Sequence, residues 1–249
     1  MIPQMAKETR ELGITGGEPT LLHEKLIEIL ETAKRFLPNT ALHMLSNGRL
    51  LSYLKYAQMI SDVGHPDFVV GIPLYGDTAA QHDFVVQAKG AFDQTVFGIL
   101  NLERVSVKVE LRMVIHQQTF ARLPQFASFV ARNLPFVYQV ALMGLELTGY
   151  ARSNLETLWI DPIDYQRELA EAVEILDGAG IPVFIYNHQL CLLPTELHRF
   201  AKRTISDWKN IYMPECDSCA LRAECGGVFS SASLRHSTNI RPFLASEVM

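Results

Sequence analysis

Hydrophobic residues along this chain form two kinds of pattern that alternate from one end to the other. Short apolar runs bounded by turn residues predict β-strands, and longer segments with apolar residues every three or four positions predict α-helices. Helical spacing is clear after Pro19, and residues 8–12 look like the tail of another helix. The pattern predicts strands at residues 13–15, 41–45, 68–74, 106–115, 137–147 and 181–185, with helices between them.

The alternation of strand and helix defines the fold class. Strands that are apolar throughout are typical of a parallel sheet covered by helices, so we expect an α/β protein. An open doubly wound sheet and a closed or partial barrel both fit the predicted strands. No internal repeat and no Pro/Ser/Gly-rich linker divides the chain, and its composition changes only after Asn187, where the cysteines begin.

Composition narrows the class of protein further. The net charge is −5, which gives no sign of the positively charged surface that binds nucleic acid, so we expect no nucleic-acid partner. No apolar run reaches the length of a membrane span, and residues 1–10 lack the apolar core of a signal peptide. The sequence therefore predicts a cytoplasmic protein with no membrane partner.

One turn carries candidate chemistry, because two adjacent glycines, Gly16 and Gly17, follow the first predicted strand. Glycine lets a ligand approach the backbone more closely than other residues do. Glu18 follows at the carboxyl end of the strand, where parallel α/β folds bind ligands. Pro19 is suited to the first position of the next helical segment. An ordinary glycine-rich turn is the simpler interpretation.

With Ile14-Thr15 before it and Leu21-Leu22 after it, this turn resembles the Gly-Gly-Glu motif of radical S-adenosylmethionine (SAM) enzymes. The resemblance implies a partial (β/α)6 TIM-like barrel that lacks its first strand, with the motif holding the amino group of SAM. Ser46-Asn47-Gly48 resembles the family's turn near the ribose and carboxylate of SAM, and simple turn chemistry is an equal alternative for these residues. A basic residue on the fifth strand pairs with that carboxylate in related enzymes, although an ion pair with Glu110 is an equal alternative for Arg112. The implied SAM-binding residues are Gly16, Gly17, Glu18, Pro19, Ser46, Asn47, Gly48 and Arg112.

The chain departs from this family before the Gly16 turn. Radical SAM enzymes bind a [4Fe–4S] cluster through Cys-x3-Cys-x2-Cys upstream of this motif, and residues 1–12 contain no cysteine. We therefore expect an N-terminally truncated enzyme that is inactive alone. A degenerate relative is the alternative, and the DNA upstream of the Met1 codon would distinguish the two.

All four cysteines lie late in the chain, as a Cys-x2-Cys-x5-Cys group with one further cysteine upstream. Clustered cysteines in a protein of this kind indicate metal or redox chemistry rather than disulfides. Four thiolates suit either a [4Fe–4S] cluster or zinc. The spacing resembles the auxiliary-cluster motif of SPASM and twitch extensions, which implies one auxiliary [4Fe–4S] cluster. A mixed set with His188, and a three-cysteine site with the upstream thiol free, are the alternatives. The implied ligands are Cys191, Cys216, Cys219 and Cys225.

Longer stretches resemble one group of radical SAM enzymes, the His-Xaa-Ser system maturases, and in particular their C-type member. They are residues 145–151 with Asn154, 186–187, 190–194, 206–210 and 225–229. The resemblance implies modification of a ribosomally made precursor peptide with His-Xaa-Ser repeats. It also implies a sister radical SAM maturase and a reductant such as flavodoxin or ferredoxin as partners.

These expectations divide the chain into a barrel at residues 1–187 and a cluster-binding extension at residues 188–249. The alternative functions are a non-catalytic Fe–S or zinc-binding partner of a sister maturase, and an ordinary barrel enzyme with a structural zinc. Metal analysis would distinguish the zinc protein from the other two.

Overall fold

The computed structural model describes residues 1–203 and 210–247. Residues 206–209, part of one stretch that resembles the maturases, lie outside this range. The strands are β1 Glu11–Ile14, β2 Ala41–Leu45, β3 Phe68–Pro73, β4 Lys108–Ile115, β5 Gln139–Gly144, β6 Val183–Tyr186, β7 Ala201–Lys202, β8 Asn210–Ile211 and β9 Val228–Phe229. The helices are α1 Glu24–Phe36, α2 Leu54–Asp62, α3 Ala79–Val86, α4 Ala91–Arg104, α5 Leu123–Asn133, α6 Gly149–Ser153, α7 Leu155–Leu158 and α8 Gln166–Gly178.

The chain divides into two compact units. Unit 1 comprises Met1–Arg112 and Phe136–Gln139, and unit 2 comprises Met113–Pro135 and Val140–Met249. Within each unit, parallel strands alternate with helices, which confirms the predicted α/β class. In the parts of the chain that the structure describes, no helix is long and apolar enough to cross a membrane.

Unit 1 contains β1, β2, β3 and the first part of β4, paired in that order and all parallel. Burial alternates along β2, where Leu42 and Met44 are fully buried and His43 is only partly buried. One face of these strands is therefore the apolar core. The other face carries His43 and, by register, Glu110 and Arg112 of β4.

Unit 2 contains the parallel strands β5, β6 and β7, and helices α5 and α8 pack against each other. The short strands β8 and β9 form an antiparallel pair. Near them a small core of Leu192, Val228 and Ile240 packs against Cys191 and Cys216. Two of the predicted metal ligands are thus partly covered by apolar side chains.

The structure corrects the sequence prediction at one place and adds detail at two others. Residues 8–12 do not form the tail of a helix: β1 begins at Glu11, because Glu11 and Leu12 pair with Ala41 and Leu42 of β2. Between β3 and β4, where the pattern predicts a mostly helical connection, the chain forms two helices, α3 and α4, divided where the backbone N–H groups of Gly90 and Phe92 donate to the Asp83 carboxylate. Among the described residues there is a further parallel strand, β7, beside β6.

Candidate cofactor and cluster sites

The Glu18 carboxylate joins the two turns that the sequence singled out in unit 1. Its Oε1 accepts hydrogen bonds from the Ser46 hydroxyl at 2.7 Å and from the backbone N–H and hydroxyl of Thr20 at 3.1 and 2.7 Å. Its Oε2 accepts one from the Asn47 N–H at 2.7 Å. Each carboxylate oxygen offers about two lone-pair sites, so Oε2 can accept one more donor. The predicted Gly-Gly-Glu and Ser-Asn-Gly turns are therefore adjacent.

Two further residues, neither of them predicted from the sequence, fix the Glu18 turn. Glu18 caps the short 3-10 turn Pro19–Leu22, with Pro19 at its start as predicted. The contact between Thr20 and Glu18 could have been anticipated, because the side chain of an N-cap residue commonly accepts a hydrogen bond from the backbone N–H two residues onward. Tyr56 of α2 donates its hydroxyl to the Thr20 carbonyl oxygen at 2.9 Å, and no sequence signal pointed to it. Burial and the nearby Glu18 charge raise the pKa of Tyr56 to about 12, so it stays a donor.

The glycines of the two turns lie in different surroundings. A Cβ built on Gly16 or Gly17 would meet no protein atom within 4 Å, and both residues are exposed. Gly48 has φ +76°, and its Cβ would lie 3.2 Å from the Ile72 side chain. Packing and backbone conformation therefore require glycine at position 48. Packing does not require it at positions 16 and 17, although the φ of +159° at Gly16 disfavours other residues there.

Arg112 lies beside Glu110, as the alternative interpretation of the sequence expected. The Arg112 Nε is 3.4 Å from Glu110 Oε1, and the His43 Nε2 is also 3.4 Å from that oxygen. Gln139 donates its amide to the other carboxylate oxygen of Glu110. Burial opposes ionisation of Glu110, but His43, Arg112 and Gln139 outweigh it and lower its pKa. The pairing engages Nε of Arg112, and the same guanidinium charge opposes the rise that burial causes in the pKa of Tyr75.

In unit 2 the four cysteines line one pocket, so the structure brings together all the predicted ligands. Leu221, Val228, Ile240 and Phe243 give the pocket apolar walls, and Arg222 and Arg241 add two guanidinium groups. Two backbone N–H groups donate to sulfur, Gly227 to Cys225 Sγ and Phe243 to Cys219 Sγ, each at 3.4 Å.

The sequence did not predict that residues 240–243 would line the cysteine pocket. A segment near the end of the chain that folds back onto a distant motif has no sequence pattern that reveals the contact. The Ala220 N–H donates to the Phe243 carbonyl oxygen at 2.9 Å, which fastens this tail to the cysteine loop. Tyr212 and Gln189 bind the same loop, through the carbonyl oxygens of Cys225 and Gly227, each at 2.9 Å.

The pocket changes the acidity of two of its thiols. Among residues 1–203 and 210–247, no group of three or more His, Cys, Asp or Glu side chains is arranged to hold a metal ion. Burial, and for each the nearby cysteines, raise the pKa values of Cys191 and Cys216. A cation in the pocket would reverse this effect and favour the thiolates.

His188 does not face the cysteines as a free ligand. Its Nδ1 lies 2.8 Å from the Tyr186 carbonyl oxygen and its Nε2 lies 2.8 Å from the Tyr165 hydroxyl. A neutral ring that donates from Nδ1 and accepts at Nε2 satisfies both contacts. Both nitrogens are thus engaged within unit 2, which argues against the mixed ligand set with His188.

The buried His188 should make stability depend on pH. Burial lowers its pKa from 6.5 to about 4. Between these values the unfolded chain binds a proton at His188 that the folded chain does not. The destabilisation that His188 causes is therefore absent above about pH 6.5 and grows to about 3 kcal/mol as the pH falls to 4. We expect His188→Gln to show a smaller loss of melting temperature between pH 7 and pH 5 than the wild type. An equal loss in both proteins would show that His188 is not the source of this pH dependence.

Comparison with known proteins shows the fold. No protein-family model and no curated protein matches the chain. Streptococcus suis SuiB bound to S-adenosylmethionine matches with a TM-score of 0.57 and 14% identity over 74% of this chain and 41% of SuiB. Native anSMEcpe with bound AdoMet and Kp18Cys peptide matches with a TM-score of 0.57 and 16% identity, over 74% of this chain and 53% of that one. SuiB bound to the precursor peptide SuiA matches with a TM-score of 0.56 and 14% identity, over 70% of this chain and 38% of SuiB.

These structures are radical SAM enzymes, and the likeness shows that this chain has their α/β partial-barrel fold. The chain spans between 38% and 53% of their length. At this level of identity the similarity shows the fold class of this chain. It does not show that the chain binds the same molecules or catalyses the same reactions as those enzymes.

Proposed function

We propose that this chain is part of a radical SAM peptide maturase that carries one auxiliary [4Fe–4S] cluster. The observation that carries the proposal is the Glu18 carboxylate, which joins the turn of Gly16 and Gly17 to that of Ser46 and Asn47. The fold, shared with SAM-binding enzymes, supports it.

In the proposed cofactor site, different residues bind different groups of SAM. Oε2 of Glu18 accepts the ammonium group of SAM, which adds a charge-assisted hydrogen bond. The exposed backbone of Gly16 and Gly17 allows close approach of the cofactor, and the Nη groups of Arg112 bind its carboxylate. Pro19 and Gly48 hold the two turns in shape.

In the cluster site, Cys191, Cys216, Cys219 and Cys225 hold the auxiliary cluster. A [4Fe–4S] cluster supplies one-electron transfer when it is bound. The Gly227 and Phe243 N–H groups stabilise the charge on two of the sulfurs, and the apolar walls exclude water.

The substrate we propose is a ribosomally made precursor peptide with His-Xaa-Ser repeats. Structurally similar enzymes have been solved with peptides, SuiB with SuiA and anSMEcpe with Kp18Cys, which supports a peptide substrate. A sister radical SAM maturase and a flavodoxin or ferredoxin complete the proposed system.

The cofactor site is tested by adding a methyl group where the protein leaves room for one. Gly17→Ala should preserve the fold, since its Cβ meets no protein atom within 4 Å, and should weaken binding of SAM at least tenfold. Isothermal titration calorimetry with SAM measures the affinity, and circular dichroism checks the fold. Gly13→Ala in β1, equally free of contacts, is the control and should bind as the wild type does. Equal affinity of all three proteins, or no saturable binding by the wild type, would overturn the proposed site.

The cluster site is tested by metal content after anaerobic reconstitution. The wild type should contain about four irons and four sulfides per chain. Cys219→Ala should lose most of both, because one of the four cysteine ligands is gone. Ser218→Ala changes an exposed neighbour and should retain the wild-type content. One zinc without sulfide would exclude the auxiliary cluster and favour a structural-zinc protein.

A further inference from the structure

One face of helix α4 lies directly against the segment that follows β2. Gln94, Thr95, Gly98 and Asn101 are spaced so that they share one side of the helix. The Thr95 hydroxyl donates to the Asn47 carbonyl oxygen at 3.0 Å. The Asn101 amide donates to the carbonyl oxygens of Leu51 and Ser52 at 3.0 and 2.8 Å. Because Thr95 and Asn101 are only 1% and 5% exposed, these are buried polar contacts that would be costly to break.

Gly98 is the residue at which helix α4 comes closest to the Ser46–Gly48 turn. A Cβ at this position would lie 2.1 Å from the Gly48 carbonyl oxygen and 3.1 Å from its carbonyl carbon. These are backbone atoms, so no side-chain rotation can relieve the overlap. Glycine inside a helix costs about 1 kcal/mol relative to alanine. Here the absent side chain lets the helix meet the Ser46–Gly48 turn.

The position of Gly48 is connected to the candidate cofactor site by a short chain of hydrogen bonds. The Gly48 N–H donates to the Ser46 hydroxyl oxygen at 3.1 Å, and that hydroxyl donates to Glu18 Oε1 at 2.7 Å. A shift of the turn away from α4 would therefore move two of the groups that orient Glu18, the Ser46 hydroxyl and the Asn47 N–H.

We infer that α4 is the positioning element of the SAM site, with Gly98 and Thr95 as positioning residues that set the Ser46–Gly48 turn and thereby orient the Glu18 carboxylate. The inference rests on the proposed function, because it concerns the same site. Neither residue contacts the cofactor; both act through the turn.

Gly98→Ala tests the close approach. It should weaken SAM binding at least tenfold and accelerate amide hydrogen exchange in residues 46–52. Gly178→Ala, at the last residue of helix α8, is the matched control, because its Cβ meets nothing within 4 Å. It should leave both measurements unchanged. If Gly98→Ala leaves affinity and exchange at wild-type values, the inference is wrong.

Thr95 supplies a second test that does not depend on tolerating a clash. Thr95→Val keeps the shape and removes the hydroxyl, and should weaken SAM binding severalfold; Thr95→Ser restores the hydroxyl and should recover the affinity. A merely structural role predicts lower melting temperatures with unchanged affinity, and that result would overturn the inference. If the wild type fails to bind SAM, the proposed function fails by itself. Exchange in residues 46–52 of Gly98→Ala then decides whether α4 positions the turn.

Discussion

Replacing Gly227 with alanine should empty the cysteine pocket of metal while all four cysteines remain. Gly227 has φ +66°, and its Cβ would lie 2.6 Å from the Ile211 carbonyl oxygen and 3.2 Å from the Tyr212 ring. A left-handed conformation costs a non-glycine residue about 1–2 kcal/mol, and the overlap with a backbone oxygen adds to that cost. The loop must move, and with it the Gly227 N–H that donates to Cys225 Sγ.

The neighbouring glycine provides the control for this experiment. A Cβ on Gly226 would come no closer than 3.9 Å to another residue, so Gly226→Ala should retain iron and sulfide at wild-type levels. Both variants are reconstituted anaerobically and compared by iron and sulfide content and by thermal melting. Full iron content in Gly227→Ala would show that the loop tolerates the side chain, and the geometry of the cysteine pocket in this structure would then not be the metal-binding one.

The sequence predicted the arrangement of unit 1 well where local pattern and fold topology agree. Apolar runs closed by turn residues predicted the observed bounds of β2, and those of β3 to within one residue. Once the strands are parallel and adjacent, their carboxyl ends lie side by side, so the Glu18 and Ser46 turns had to be neighbours. The contact between them follows from two local patterns and one rule of sheet topology.

The features that the sequence did not predict depend on contacts between distant residues. Glu11 and Leu12 are strand residues because β2 pairs with them, which their own pattern does not reveal. From the sequence, Gly98 is only an unfavourable residue inside a helix. The reason for it is the Gly48 carbonyl oxygen, which leaves no room for a side chain. Whether Arg112 binds SAM or pairs with Glu110 was left open by the sequence, and the structure shows the Glu110 pairing.

Glu18→Gln should have the largest effect on the cofactor site, although it changes only one atom. In the wild type, backbone N–H groups approach both carboxylate oxygens, from Thr20 at Oε1 and from Asn47 at Oε2. A glutamine amide has one oxygen and one NH2 group, so either orientation points NH2 at a backbone N–H. The variant therefore loses the charge that would bind an ammonium group and also breaks a bond that holds the two turns together.

We expect Glu18→Gln to bind SAM more than tenfold more weakly, which corresponds to at least about 1.4 kcal/mol, and to melt at a lower temperature. Calorimetric titration and thermal melting measure the two effects separately. Glu28→Gln, an exposed change on α1 with the same loss of charge, should alter neither. Lower stability with full SAM affinity would make Glu18 a structural cap of the Pro19 turn alone. Because its four hydrogen bonds come from both turns, we expect binding and stability to fall together.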